Sequence, residues 1–349
     1  MKAEELNQEY VLGILEKLLA VPSPSGFFGP IMKLVEEEAA KLGLACERLP
    51  KGSALIKLPG RSDEALGMSA HVDTLGAMVR SVKENGRLRF TPVGGYSMHS
   101  VEGEYCTIHT RDGRTYSGTI QSTRPSVHVF PDARDLKREE ANMEIRLDES
   151  AANRADVAAL GIRTGDYVSF DPRTVFLPNG WIKSRHLDDK AGVACLFGLL
   201  ESYVRREVVP PRTLYVFLSV YEEVGHGSSY MPPELRELLA IDMGAIGDDL
   251  SCTERDVSIC AKDSSGPYDY EMTSKLIRLA ERDGLGFAVD IYPYYSSDAT
   301  AAVRAGSNLR AALLGPGVQA SHGMERTHRD ALWNTIRLLD AYATEEARD

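Results

Sequence analysis

The stretch TLYVFLSVYEEVGHG (213–227) runs without a break from an apolar segment into two adjacent carboxylates. Residues 213–220 predict a buried strand, since β-branched and aromatic side chains dominate them. Glu222 and Glu223 then stand at its carboxyl end, where burial and mutual repulsion are costly unless a positive charge lies between them. A metal ion meets that need, with Glu223 binding it and Glu222 taking a proton from water held there. Without a metal, the same pair reads as a solvated turn.

Outward from this strand the pattern alternates. A helix covers about 189–206, and another strand about 239–246. DVSICAK (256–262) follows, then a helix at 269–283, FAVDIYP (287–293), a short helix near 298–305, NLRAALL (308–314) and a final helix from about 326. Strands alternating with helices predict an α/β fold whose largely parallel sheet is covered on both faces. Towards the N-terminus, Leu12, Ile14, Leu15, Leu18 and Leu19 recur at helical spacing before the PSPSG breaker at 22–26. A second helix fits 29–43, and ALIKLPG (54–60) and ALGMSAHVD (65–73) read as strands. Between 76 and 177 the texture changes to short β-like runs (RLRFTPV, YCTIHT, TYSGTI, VHVF, YVSF) separated by Gly, Asp-Gly and Pro turns. Only 148–160 looks helical there. The expected division is a catalytic domain formed by 1–75 and 178–349, with 76–177 inserted as a small β-rich, barrel-like domain.

Composition narrows the function classes. The 349 residues are 43% hydrophobic and 26% charged, enough for a substantial core. A net charge of -11 argues against electrostatic capture of nucleic acid or of an acidic membrane. Five scattered cysteines without CxxC spacing argue for a reducing compartment. No signal-peptide pattern opens the chain and no stretch approaches the ~18 apolar residues of a spanning helix, so a cytoplasmic location is expected.

Five polar clusters fall at predicted strand ends, where open α/β sheets bind ligands. In SAHVD (69–73), His71 and Asp73 share one face of a strand, so the imidazole can hold a metal while the carboxylate orients the ring. In HLDDKAG (186–192) one Asp suffices as a helix cap, which leaves Asp188 to bridge two metals and Asp189 to cap; His186 reads as a surface histidine. The pair Glu222 and Glu223 is the third. In AIDMG (240–244), Asp242 interrupts an apolar strand and competes as a ligand with Asp248 and Asp249. In SHGMERTH (321–328), either His322 or His328 could ligate. Together these donors form a mixed nitrogen and oxygen set suited to Zn²⁺, Co²⁺ or Mn²⁺. Two metals sharing a bridging carboxylate fit the count better than one, and imply hydrolysis of an amide.

The order AHVDTLG, LDDKAG, EEVGHG, AIDMG and SHGMERTH resembles the tetrahedral aminopeptidase and glutamyl aminopeptidase family of co-catalytic metallopeptidases, over nearly the whole chain. The resemblance implies a two-metal aminopeptidase acting on short peptides. His71 and Asp242 would hold one metal, Glu223 and His322 the other, and Asp188 would bridge them. Glu222 would be the general base and Asp73 would orient His71. Asp298, in YYSSDA (294–299), would line the site. The implied fold is an α/β/α catalytic domain with an inserted β-barrel that serves oligomer contacts, up to a hollow tetrahedral dodecamer. Departures are Thr74-Leu75 where the family shows an acid followed by Ile, Lys190 where Arg is usual, and SHGME in place of an HSPxE run. They bear on substrate preference and assembly.

Three other readings compete. A glycosidase would use a carboxylate pair without metal, but leaves the histidine motifs without a role. A deacylase or carboxypeptidase would need a cation for the substrate carboxylate, from Arg304 or Arg310. A non-catalytic scaffold would be expected to have lost a ligand or the base.

Overall fold

The computed structural model describes Met1 and residues 3–345. A ten-stranded mixed sheet forms its centre. Four neighbouring strands run parallel, in the order Arg212–Ser219, Ser62–His71, Glu237–Ile241 and Arg310–Val318. Cys46–Arg48 and Ala54–Leu58 extend one side antiparallel, and Val257–Asp263 pairs antiparallel on the other.

The apolar run at 213–220 is explained by burial on both faces. Leu214, Val216 and Leu218 point into the larger core, whereas Phe217 joins a second cluster with Leu55, Met231, Leu235 and Leu238. Strand residues two apart share a face, so a strand covered on both sides has no polar alternation to show. Helices Gln8–Ala20, Leu187–Arg205 and Arg329–Thr344 bury their apolar residues in the first core. The short helix Asp298–Arg304 packs on the other side, through Ala299 and Ala302. Helix Tyr270–Arg282 shows the local logic. The Asp269 side chain accepts from the Met272 amide at its start, and Met272, Leu276, Leu279 and Ala280 form its buried stripe.

A closed, all-antiparallel barrel lies between two passages of the chain through the sheet. Its order is Gly76–Val82, Leu88–Val93, Met143–Leu147, Thr115–Ser122, Tyr105–His109 and Tyr167–Phe170, with the last pairing back to the first. Its own core includes Val79, Phe90, Ile108, Ile120, Ile145 and Val168. Two local expectations change here. VHVF (127–130) is a turn, not a strand, and Val127 and Val129 are exposed. The strand that fills this place in the barrel is Met143–Leu147, and the helix near 148–160 shortens to Arg154–Ala159. Among the described residues no helix is long and apolar enough to cross a membrane.

Candidate metal centre

The parallel strands deliver their chemistry at one end. His71 is the last residue of its strand, Glu222 and Glu223 form a turn just beyond Ser219, and Asp242 directly follows Ile241. Asp188 and Asp189 open the helix Leu187–Arg205 with non-helical backbone, joined by a cis peptide. His322 lies in the turn after Val318, with a positive φ of 63° that few residues other than glycine adopt.

Asp188 is the geometric middle. Its Oδ1 lies 3.1 Å from His71 Nε2 and its Oδ2 lies 3.3 Å from His322 Nε2. Glu223 reaches the same side as His322, with Oε2 3.5 Å from Nε2. Asp242 and Glu222 approach His71 Nε2 at 3.9 and 3.7 Å. Both rings are held from behind. His71 Nδ1–H donates to the main-chain carbonyl of Asp73 at 2.9 Å, and His322 Nδ1–H donates to the carbonyl of Gly95. That fixes Nε2 of each ring as the nitrogen turned to the carboxylates.

Asp73 acts through both its parts. Its carbonyl holds His71, while its carboxylate stands 3.6 Å from Nδ1. The carboxylate accepts from Ser25 Oγ at 2.5 Å and from the amides of Glu222 and Glu223 at 3.1 and 3.3 Å. Asp189 accepts from the His71 amide and the Gly192 amide, both at 3.2 Å, tying strand to helix.

The charges are out of balance. Burial raises Glu222, Glu223 and Asp189 well above the carboxylate range, and neighbouring acids add to it. Burial and Asp188 push Asp242 up to about 7. Burial alone would lower His71, but Asp188, Glu222, Asp242 and Asp73 raise it well above its ordinary value. Burial likewise opposes the rise of His322 to about 10, which its contact with Asp188 causes. The groups His71, Asp188, Glu223 and His71, Asp189, Asp242 each offer donor atoms within 4.8 Å of one another. Lys190, the nearest lysine in sequence, turns its ammonium away to the carbonyl of Val21 at 2.7 Å. Imidazole nitrogens and carboxylate oxygens around a surplus of buried negative charge are the chemistry of a divalent cation site, so the residues present fit a metal.

Other residues named from the sequence lie elsewhere. His328 caps the last helix, accepting from the Asp330 amide at 3.1 Å, and its Nε2–H donates to the carbonyl of Asn179 at 3.0 Å. Asp248 and Asp249 are exposed in a loop. His186 is buried, not on the surface, lining a cavity of about 610 Å³ between sheet domain and barrel; burial, then Lys190 and Arg185, lowers it to about 3. Asp298 is buried behind Glu222, accepting from Ser219 Oγ at 2.5 Å and the Ser228 amide at 2.8 Å. Arg310 pairs with Glu237 at the other end of the sheet, too far away to serve a substrate here.

Glu325 went unread in the sequence. Its two oxygens accept from the amides of Asp188 and His322, at 3.1 and 3.2 Å, so one carboxylate ties both segments. Burial and Asp188 push it up to about 8. Its only signal was an acid in SHGMERTH beside the histidines that drew attention. The barrel loop also contributes: Gly95 receives His322, and the buried Arg185 binds the carbonyls of Ser100 and Gly323.

A cavity of about 490 Å³ opens over Asp188, Glu222, Glu223, Asp242 and His322, with Tyr294 and Tyr295 at its side. The model of the M42 glutamyl aminopeptidase family matches residues 52–338. YhfE of Bacillus subtilis (strain 168), named as an aminopeptidase, is 46% identical over 331 residues, 94% of this chain and 96% of that protein. Among solved structures, the TET aminopeptidase of Thaumarchaeota archaeon SCGC AB-539-E09 superposes with a TM-score of 0.88 at 18% identity, covering 97% of each chain. The TET1 peptidase of Pyrococcus horikoshii, which can assemble into a tetrahedron or a large octahedral shell, gives 0.84 at 23% identity, over 96% of this chain and 100% of that one. These two likenesses speak to the fold.

Proposed function

This chain belongs to the M42 glutamyl aminopeptidase family, and we propose that it removes N-terminal residues from short peptides with two divalent metal ions and Glu222 as general base. The observation that carries this reading is the Asp188 carboxylate, which turns one oxygen to His71 and the other to His322. His71 and Asp242 would hold one ion and Glu223 and His322 the other, with Asp188 shared between them. Zn²⁺, Co²⁺ and Mn²⁺ all suit such donors. When bound, the ions polarise the scissile carbonyl and make water nucleophilic near neutral pH.

The protein's own groups do the rest. Asp73 aligns the turn that presents Glu222, by accepting its amide and that of Glu223. The Glu222 carboxylate, 12% exposed at the cavity wall, takes the proton of the attacking water and passes it to the leaving amine. The acidic wall favours a substrate end that carries an ammonium over one that carries a carboxylate. That supports the aminopeptidase reading over the carboxypeptidase alternative, for which Arg304, lining a neighbouring cavity with Glu222, is the remaining candidate cation. We further propose that the chain self-associates through its barrel domain, in an assembly up to a tetrahedral dodecamer that limits entry to short peptides.

The test of the base is Glu222→Gln, which keeps shape and removes the proton acceptor. kcat is expected to fall about 10²–10⁴-fold with metal content and melting temperature unchanged. Undiminished peptidase activity would remove Glu222 from the mechanism.

A further inference from the structure

A third cavity, of about 410 Å³, opens at the opposite end of the sheet. Arg212, Glu237 and Arg310 line it and begin three of the parallel strands whose far ends approach the metal centre. The eight residues of Arg212–Ser219 alone separate the two by roughly 26 Å.

Four acids and four bases line it, but their hydrogen bonds are unevenly shared. Both oxygens of Glu237 are engaged: Oε2 accepts from Arg212 Nη1 at 2.8 Å and from the Tyr342 hydroxyl at 3.1 Å, and Oε1 accepts from Arg310. Arg212 is only 5% exposed, yet its Nε and Nη2 have no hydrogen-bond partner among the described residues. Glu64, half exposed, comes no nearer than 3.8 Å to its Nη1. Lys275 is half-buried and makes no hydrogen bond or ion pair among the described residues; its ammonium lies 4.2 Å from the centre of the Tyr342 ring. Burial and the charge of Arg212 lower Lys275, against the pull of Glu237 and Glu345. Arg278 is taken up by Glu345 at 3.4 Å. Lys275 thus lines the cavity with its ammonium unpaired, and Arg212 stands in the wall with two donors, Nε and Nη2, that are closed to solvent and unmatched. Leaving buried charged donors unmatched is costly, so such groups call for a partner.

We propose that this cavity binds a compact oxyanion, the carboxylate or phosphate group of a small metabolite, between Arg212 and Lys275. A guanidinium and an ammonium are the usual donors to such groups. Glu64 and Glu271 on the exposed rim admit a small anion and repel an extended polyanion. The site stands apart from the metal centre and does not depend on the reading of it.

The test is titration calorimetry on the full-length, metal-loaded chain with sodium phosphate and sodium glutarate, at matched ionic strength in chloride. Wild type is compared with Lys275→Met, which keeps the apolar stem over Tyr342 and whose peptidase activity should be unchanged. Saturable binding of at least one anion, weakened at least about tenfold by the substitution, is the expected result. Binding of phosphate alone, or of glutarate alone, names the group the site reads. No binding of either anion, or equal binding in Lys275→Met, overturns the proposal.

Discussion

Carboxylates outnumber cations around Asp188, and the way each is held tells its task. Two charges within 4.8 Å repel by roughly 3 kcal/mol at an effective dielectric constant near 20, so the cluster holds together through fixed partners. Glu325 is the partner whose loss should be most informative, because it touches the backbone of Asp188 and of His322 and offers nothing to substrate. Glu325→Gln is expected to weaken metal affinity about 10–100-fold, as outer ligands of metal sites do, with a smaller effect on kcat at saturating metal. Metal titration followed by activity would check it; unchanged affinity would leave Glu325 a plain structural contact. His71, Glu222, Glu223 and Asp242 were legible because each stands at the end of an apolar run, where a polar group needs a reason. Glu325 was not, since its reason is two amides that only the fold brings near.

Between elements, the closest tolerance lies where the strand Arg310–Val318 passes the segment carrying Asp242. A Cβ at Gly315 would stand 1.7 Å from the carbonyl oxygen of Asp242, which no side-chain adjustment relieves because the obstacle is backbone. Gly315→Ala should therefore displace Asp242 and lower both melting temperature and metal affinity. Wild-type values for both would show that the strands can separate at no cost. The alternation of strands and helices after 180 was readable because buried parallel strands lose their polar alternation, as in 213–220. The barrel was harder. VHVF (127–130) has strand composition yet lies in an exposed turn, and MEIRL (143–147), with Arg146 exposed and Glu144 buried against Lys83, supplies the strand. Composition registers how well a residue fits a sheet, while pairing decides whether a sheet is there.

At the scale of the whole molecule, the centre links metal, protons and stability. Asp242 and Glu325 titrate near 3.8 and 4.5 when unfolded and rise to about 7 and about 8 on folding. At these two groups the folded, metal-free chain holds more protons than the unfolded chain between about pH 4 and pH 8, so their contribution to stability falls as pH rises through that window. His186, lowered to about 3, opposes them below about pH 6.5. His322, raised from 6.5 to about 10, works in the same direction as the two acids, its contribution fading as pH climbs past 6.5 towards 10. Metal-free protein should melt at a lower temperature at pH 8 than at pH 5.5, and added metal should stabilise it most at pH 8. A metal-free melting temperature that rises over this interval would contradict the balance of charge described above.

The central claim is that this centre uses metal to cut peptides from a free amino end. Its most direct test is hydrolysis of matched dipeptides and tripeptides, each with a free and an acetylated N-terminus, by metal-free protein and by protein supplied with Zn²⁺, Co²⁺ or Mn²⁺. Cleavage confined to free-amine peptides and to metal-loaded protein is the predicted result. Cleavage of the acetylated peptides, or equal cleavage without metal, would contradict it.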